Sequence, residues 1–347
     1  MPYITSVRVA PNPSVFYDRT LAKFFVTLFV TNNYWKMYSS SPTGLIVRRQ
    51  QMSTETQVQP WIDDATFQAD IEYLDALWQR RPVGNEDKPV IDIGTGENPL
   101  VFVPILEHLD WVYSRQIRFF SQTRRILFYR RKESRNKPVG AIERVEELRR
   151  VLDSLNVERA DFVGHGDAAI VLLEFALKYP QRCRSLTVLV QGPDYVIAPH
   201  PLIWILHDLF IRLPVEHVLP TRFLSGIVAN YATARSKENH TKPAVSHRLV
   251  AGQFTKIAQW PAVYKFSVLP VIHDVNFYKR LAPLTMPVLV INRTDDRLTP
   301  EVKTRWLAEH LPNCTGYHVV NGGDRFFMYS QAEVVNPLIE RFLAPRP

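Results

Sequence analysis

The segment from Val163 to Ala168 constrains the fold of this chain more than any other. Residues 160–163 (ADFV) predict a strand that ends here, and the pattern of 167–179 predicts a helix that begins here. A strand passes directly into a helix only through a very tight turn, and the residue at the tip of this one is Gly166. Glycine has no side chain, so the tip carries no group that could attack a substrate.

Strand-like and helix-like segments alternate on both sides of this turn. Short apolar runs predict strands, and apolar residues at every third or fourth position predict helices. The predicted strands are 89–93, 100–104, 125–129, 160–163, 185–190, 287–291 and 315–320, and the predicted helices are 64–80, 141–155, 167–179 and 332–343. This alternation favours an α/β fold with a mostly parallel central sheet flanked by helices.

The length allows one large domain with an insertion. The chain has 347 residues, of which 46% are hydrophobic and 22% are charged, as in folded proteins. We divide it into an N-terminal extension (1–85), the first part of the core (86–194), an inserted helical lid (195–280) and the second part of the core (281–347). The lid assignment rests on the aromatic residues, prolines and helix-like patterns of 195–280.

Four segments together resemble the α/β-hydrolase superfamily. They are residues 99–104 (PLVFVP), 161–169 (DFVGHGDAA), 287–300 (PVLVINRTDDRLTP) and 321–333 (NGGDRFFMYSQAE). In that family the corresponding segments are the strand that enters the oxyanion loop, the nucleophile turn, the loop with the triad acid and the loop with the triad histidine. The resemblance extends over most of the chain and implies the α/β-hydrolase fold with an inserted helical lid.

The same resemblance implies a degenerate catalytic triad. The family's turn has the pattern Gly-x-Ser-x-Gly, and Gly166 stands where the serine is expected. Asp296 stands at the position of the acid and Arg325 at that of the histidine. Arginine has a pKa above about 12, so it cannot act as a general base near neutral pH. Pro104 and Ile105 replace the His-Gly pair of the oxyanion loop, where isoleucine disfavours the backbone angles that glycine allows.

Two residues beside the turn are alternative catalytic candidates. Asp167 is a nucleophile only if the turn shifts by one residue, and His165 precedes the tip, where a core role is favoured. Asp324 is interpreted as a loop charge. Because opposite charges at adjacent loops form ion pairs, we predict that the Asp296 carboxylate and the Arg325 guanidinium lie within hydrogen-bonding distance.

The sequence favours neither a metal nor a cofactor. The histidines of 195–280 have no spacing typical of a metal site. The segment 94–96 (GTG) follows a predicted strand but lacks the third glycine of a dinucleotide-binding loop, and another strand comes next rather than a helix. We interpret it as a turn.

The charge balance suggests anionic partners. The formal net charge is +8, which favours phosphates, acidic membrane surfaces or other anions. The excess is concentrated in a basic cluster, which is either a solvated loop or a surface for an anionic or protein partner: Arg130, Arg131, Lys132, Arg135 and Lys137. The aromatic residues beside this cluster lie in a strand pattern, so nucleic-acid binding is not favoured.

No apolar run reaches the roughly 18–20 residues that span a bilayer. The segment Leu21–Val30 is shorter, contains Lys23 and lacks a cleavage site, so we interpret it as a buried segment rather than a secretory signal. The two cysteines, Cys183 and Cys314, lie far apart, which favours an intracellular and cytoplasmic location. Peripheral membrane association through 21–35, the amphipathic lid and the basic cluster is the alternative.

The leading functional hypothesis is a non-hydrolytic relative of the α/β-hydrolases. A pocket between sheet and lid would bind a small apolar ligand, or the body would act as an interaction scaffold. The main alternative is an active enzyme of the same fold with non-standard catalytic residues, acting as a hydrolase, lyase or cyclase on a small apolar substrate. A peripheral membrane protein is the second alternative.

Overall fold

The predicted α/β fold is present in the computed structural model of the chain. The structure describes residues 61–80, 90–195, 208, 210–234, 241–273 and 275–344. All of these residues belong to one unit that begins at Gln57. The apolar segment Leu21–Val30 and the candidate membrane segment 21–35 lie outside the described residues.

Strands of the described residues form one seven-stranded sheet. They are β1 (Val90–Ile93), β2 (Leu100–Phe102), β3 (Ile126–Tyr129), β4 (Ala160–His165), β5 (Cys183–Leu189), β6 (Val288–Arg293) and β7 (Cys314–Val320). Their order across the sheet is β1-β3-β2-β4-β5-β6-β7. β1 pairs antiparallel with β3 and every other pair is parallel. The six parallel strands therefore end at one edge, and all the predicted strands are confirmed with small differences at their ends.

Helices flank this sheet. They are α1 (Asp64–Arg80), α2 (Ser114–Phe120), α3 (Ala141–Ser154), α4 (Asp167–Lys178), α5 (Thr221–Thr233), α6 (His247–Lys256), α7 (Trp260–Val263), α8 (Leu269–Ile272), α9 (Glu301–His310), α10 (Phe327–Ser330) and α11 (Ala332–Leu343). The predicted helices correspond to α1, α3, α4 and α11. A π-helical turn, Tyr264–Val268, joins α7 to α8.

Two apolar layers cover the two faces of the sheet. Leu100 and Phe102 of β2 pack into one layer, and Val101 and Val103 pack into the other, because side chains alternate along a strand. Helix α4 lies in the second layer, with residues 168–176 all buried. Burial on both faces explains why the strands are continuous apolar runs in the sequence.

Helix α1 is packed into the core, although the predicted boundary at residue 85 assigns it to an extension. The Phe67 ring is 2% exposed and lies edge-on against Trp111 and Tyr329. Asp70, on the same face, accepts hydrogen bonds from Arg115 Nε at 3.0 Å and from the Tyr329 hydroxyl at 2.9 Å. The amphipathic pattern predicted the helix, but it carries no information on which surface the helix covers.

The elements described between β5 and β6 are all helical, in agreement with the predicted character of 195–280. Lys265 on the π-helical turn is buried and donates to the Leu213 carbonyl at 2.6 Å and to Glu216 at 2.7 Å. The Ser267 hydroxyl accepts from the Ser134 N–H at 2.6 Å, which fastens this turn to the core. A role for these helices as a lid stays a prediction. Within the described ranges, no helix is both long enough and apolar enough to cross a membrane.

Strand β4 passes into α4 through Gly166 alone. Gly166 has φ +58° and ψ −121°, a backbone conformation that favours glycine, and its N–H donates to the Leu189 carbonyl at 2.9 Å. At Gly164 a Cβ would come within 2.9 Å of Ala168 O and Ala169 Cα. The close approach of α4 to β4 therefore depends on the missing side chain at Gly164.

Replacement of Gly164 by alanine is expected to lower the free energy of unfolding by about 1–3 kcal/mol, because the new methyl group overlaps backbone atoms of α4. Gly252→Ala in α6 is the matched control. Nothing lies within 4 Å of its Cβ position, and alanine favours a helix over glycine by roughly 1 kcal/mol. Urea denaturation of both variants is the measurement, and a Gly164→Ala protein as stable as the wild type would show that the turn is looser than described.

Candidate functional site

Three loops meet at the carboxyl edge of the parallel strands. Gly166 follows β4, Asp296 follows β6 and Arg325 follows β7. Loops at this edge of an open α/β sheet are the usual place for ligand binding. The structure brings together the three positions that the sequence assigned to the triad, with Arg325 in contact with Asp296 and facing the space over Gly166.

The Asp296 carboxylate is buried between two arginine side chains. Oδ1 accepts from Arg325 Nη1 at 2.6 Å, and Oδ2 accepts from Arg293 Nε at 3.2 Å. The backbone N–H groups of Leu298 and Thr299 also donate to Oδ1, at 3.0 Å and 2.7 Å. The predicted ion pair between Asp296 and Arg325 is confirmed, and both carboxylate oxygens have charged partners.

These contacts keep both members of the pair ionised. Burial alone would raise the pKa of Asp296, but the positive charges of Arg325 and Arg293 outweigh it and lower that pKa below its ordinary value. Burial acts to lower the pKa of Arg325, and the Asp296 carboxylate raises it above its ordinary value instead. An arginine that stays charged accepts no proton, so it cannot perform the general-base step of a triad.

The Arg325 guanidinium lies over the tip of the turn. A Cβ atom at Gly166 would come 3.3 Å from Arg325 Nη2 and 4.0 Å from Nε. A nucleophilic side chain on such a turn leaves the backbone in this direction. Arg325 therefore occupies the place where a serine and a histidine would meet.

His165 is a buried and neutral side chain. It is 2% exposed, and its ring stacks on Phe326 with the centroids 6.0 Å apart. Nε2 lies 2.8 Å from the Arg325 carbonyl oxygen, so Nε2 carries the proton and donates it to that oxygen. Burial, and then the positive charge of Arg325, lower the pKa of His165 to about 3. This placement supports the favoured core role, in which the ring holds the loop of Arg325.

Asp167 is turned toward a buried charge network, defined here as Arg131, Glu133, Arg144 and Asp167. Its Oδ2 accepts from Arg131 Nη1 at 3.0 Å and its Oδ1 from the Ala168 N–H at 3.0 Å. Glu133 accepts from Arg131 at 2.6 Å and from Arg144 at 3.1 Å. Burial raises the pKa of Asp167. Because Gly166 occupies the tip and Asp167 is held at both oxygens, these contacts disfavour Asp167 as a nucleophile.

The basic cluster is largely paired within the chain. The Arg131 side chain is 2% exposed, so its assignment to a partner surface is wrong: it neutralises buried carboxylates instead. Two other members of the cluster form ion pairs closer to the surface, Arg130 with Asp110 at 3.3 Å and Arg135 with Glu107. The remaining members are exposed, Lys132 and Lys137. Binding of an anionic surface or a protein stays a prediction for the accessible members alone.

The loop after β2 has ordinary backbone at the expected oxyanion position. Pro104 is buried, Ile105 is half-buried, and neither has a positive φ. The Glu107 N–H donates to Glu133 at 3.3 Å, and the Glu107 carboxylate accepts from Arg135. The negative charge of Glu107 is therefore paired with Arg135. An altered oxyanion loop at Pro104 and Ile105 stays a prediction.

Two buried residues that complete the site were missed or misinterpreted from the sequence. Arg293 is fully buried at the end of β6 and donates to the Gly323 carbonyl at 2.8 Å as well as to Asp296, which joins two loops of the site. Asp324 is no loop charge in solvent: it is fully buried and accepts from the Val245 N–H. A charged residue at the end of an apolar strand was the available signal for Arg293, whereas Asp324 had none.

The chain is similar in sequence to known hydrolases. The family model for the alpha/beta hydrolase fold matches residues 142–331, more than half of the chain. A poly(3-hydroxyalkanoate) depolymerase from Ectopseudomonas oleovorans is 24% identical over 196 residues, which are 56% of this chain and 64% of the depolymerase. A putative carbamate hydrolase RutD from Stutzerimonas stutzeri is 27% identical over 242 residues, 66% of this chain and 85% of that protein. The chain thus spans less than two thirds of the depolymerase.

Solved structures of hydrolases share the fold. An enol-lactonase from Burkholderia xenovorans has a TM-score of 0.59 and 15% identity, over 74% of this chain and 96% of the lactonase. Est816, described as an N-acyl homoserine lactone degrading enzyme, has a TM-score of 0.56 and 20% identity, over 75% of this chain and 99% of Est816. Similarity at this level shows the fold alone, and the chemistry has to be argued from the site.

Replacement of Asp296 by asparagine is expected to lower the free energy of unfolding by about 3–5 kcal/mol at neutral pH, because two buried guanidinium groups lose their shared counter-charge. The folded pKa of Asp296 lies below its ordinary value of 3.8. The contribution of the Asp296 carboxylate to the free energy of unfolding is therefore present above that ordinary pKa and is lost as the pH falls through the lower folded pKa.

Asp295→Asn is the matched control for this variant, measured by the same urea denaturation. Asp295 is exposed and has a φ of +63°, a conformation that asparagine tolerates, so the change should stay within about 0.5 kcal/mol. Equal losses in the two variants would contradict the assignment of Asp296 as the buried counter-ion.

His165 is expected to make the protein less stable in mild acid. The unfolded chain takes up a proton on this side chain below its ordinary pKa of 6.5, whereas the folded protein resists until about 3. The contribution of the neutral His165 ring to the free energy of unfolding is therefore complete above pH 6.5. It falls as the pH decreases between these two values, by up to about 1.4 kcal/mol per pH unit. His165→Asn removes this component, and His217→Asn, at an exposed position, retains it. Urea denaturation from about pH 7 to about pH 4.5 is the measurement; equal slopes for His165→Asn and wild type would refute the neutral buried ring.

Proposed function

The chain belongs to the α/β-hydrolase fold family, and we propose that it is a non-hydrolytic member that binds a small molecule at the carboxyl edge of its sheet. One observation carries this proposal. The residue at the tip of the turn is Gly166, and a Cβ atom built there would lie 3.3 Å from Arg325 Nη2. Hydrolysis by the family's route needs a nucleophile at the tip and a base that takes its proton. Glycine and arginine supply neither.

Neighbouring side chains do not replace the missing groups. The Asp167 carboxylate is held by Arg131 and by the Ala168 N–H. The His165 ring is buried, with Nε2 committed to the Arg325 carbonyl. Each candidate is thus engaged in a structural contact, which supports the loss of the family's reaction.

The surroundings of the site support binding rather than complete loss of the site. The turn at Gly166 keeps its unusual backbone, and the loops after β6 and β7 remain joined through Asp296. Concave sites at this edge commonly bind small molecules. An interaction scaffold is the alternative in which this edge binds nothing.

The names of the relatives favour a second candidate, an active hydrolase with non-standard catalytic residues. The depolymerase and the carbamate hydrolase are 24% and 27% identical to this chain. In that case the reaction would use groups other than those at positions 166 and 325. A lyase or cyclase on a small apolar substrate belongs to the same alternative.

The test compares the unmodified protein with a Gly166→Ser, Arg325→His double variant. We expect no labelling of the unmodified protein by a fluorophosphonate and no hydrolysis of short-chain p-nitrophenyl esters. The double variant introduces a nucleophile and a base together, and it removes the Arg325 Nη2 group that lies against the tip. We expect its ester hydrolysis to exceed that of the unmodified protein by about 10²-fold or more, the usual contribution of general-base catalysis.

Two controls make the comparison specific. Gly166→Ser alone and Arg325→His alone should stay inactive, because each lacks one of the two groups. Addition of Asp296→Asn to the double variant should abolish the new activity, since the acid would then no longer orient the histidine. Robust ester hydrolysis or fluorophosphonate labelling of the unmodified protein would refute the proposal.

A further inference from the structure

Arg325 uses one side of its guanidinium group for structure. Arginine has five N–H donors, and Nη1 donates to Asp296 at 2.6 Å. Among the described residues, the other hydrogen-bond partner is the Thr299 hydroxyl, 3.5 Å from both Nη1 and Nη2 and so at the limit of a hydrogen bond. The edge formed by Nε and Nη2 has no strong acceptor there, although the side chain is only 7% exposed.

This edge faces the tip of the turn. The Cβ position of Gly166 is 3.3 Å from Nη2 and 4.0 Å from Nε. Glycine places no side chain between the tip and this edge, whereas any larger residue would place its own side chain against Arg325. The Tyr195 ring lies 6.0 Å from the guanidinium carbon and adds an aromatic wall beside it.

None of the described carboxylates near Arg325 contacts its Nε–Nη2 edge. Arg293 and Arg325 share the Asp296 carboxylate, which accepts from Nη1 of Arg325. Asp167 is paired within the buried charge network, and Asp324 accepts from backbone N–H groups. A carboxylate that is not part of the described residues would therefore supply the acceptors that this edge lacks.

We propose that the Nε–Nη2 edge of Arg325 binds the carboxylate of a small ligand seated over Gly166. Two N–H donors on one edge of a guanidinium match the two oxygens of a carboxylate in spacing and direction. This inference rests on the proposed function only in that it takes the carboxyl edge of the sheet as the place where a small molecule binds. It changes the expected ligand from an apolar molecule to one whose acidic end meets the turn.

The test is a matched comparison of acids and amides. Acetate, benzoate and octanoate are each compared with their primary amides, by calorimetry and by thermal shift, on the full-length protein at low ionic strength. The amides keep the shape of the acids but lack the charge. We expect at least one acid to bind about tenfold or more tightly than its amide, a difference of about 1.4 kcal/mol.

Two variants assign that preference to Arg325. Arg325→Gln should abolish it, whereas Arg305→Gln, which removes the same charge from an exposed position on α9, should leave it unchanged. If Arg325→Gln fails to fold, the comparison of acids with amides on the wild-type protein still shows whether a carboxylate is preferred. Amides that bind as tightly as the acids, or no binding of any acid, would overturn the inference.

A parallel ester-hydrolysis assay separates this inference from the proposed function. Hydrolysis by the unmodified protein together with a preference for acids would refute the proposed function and leave the acid site standing. No hydrolysis and no preference for acids would refute the acid site alone.

Discussion

The loops of the site depend on one buried carboxylate. Asp296 is shared by Arg325 and Arg293, and Arg293 also donates to the carbonyls of Gly323 and of Ala234, at 2.8 Å and 2.7 Å. Because a buried charge without a partner costs several kcal/mol, the end of α5 and the loops after β6 and β7 are stable only in positions that keep these contacts. In a working triad the same acid would orient an imidazole. Here it holds an arginine in place.

The tight turn at Gly166 has a structural reason that is independent of catalysis. Helix α4 approaches β4 so closely that a Cβ at Gly164 would overlap its backbone, and residues 168–176 are buried against the sheet. Any relaxation of the turn would move this helix away from the sheet and expose a large apolar surface. The packing of α4 against β4 therefore fixes the geometry of the turn independently of any side chain at its tip.

The sequence predicted elements that have local signals. Strands buried on both faces appear as apolar runs, and amphipathic helices have a period of about 3.6 residues, so the sheet and α1, α3, α4 and α11 were found. The pairing of Asp296 with Arg325 was predicted because the resemblance aligned both loops. The burial of Arg131 was not predicted, because one partner, Asp167, lies 36 positions away in the sequence and nothing local indicates that the other, Glu133, is buried. Counting charges along the chain cannot distinguish a surface cluster from a buried network.

The packing of α1 means that the unit of sequence similarity and the unit of folding are different. The matching family region begins at residue 142, yet Phe67 of α1 contacts Trp111 and Tyr329, and Asp70 binds Arg115 and the Tyr329 hydroxyl. Tyr329 lies four residues beyond Arg325, on the helix that follows the loop of the site. A truncation at the predicted domain boundary, residue 85, would uncover this aromatic cluster and leave the half-buried Arg115 and the buried Tyr329 hydroxyl without the Asp70 carboxylate that accepts from both. Residues outside the matching family region thus help to hold the helix that follows the loop of Arg325.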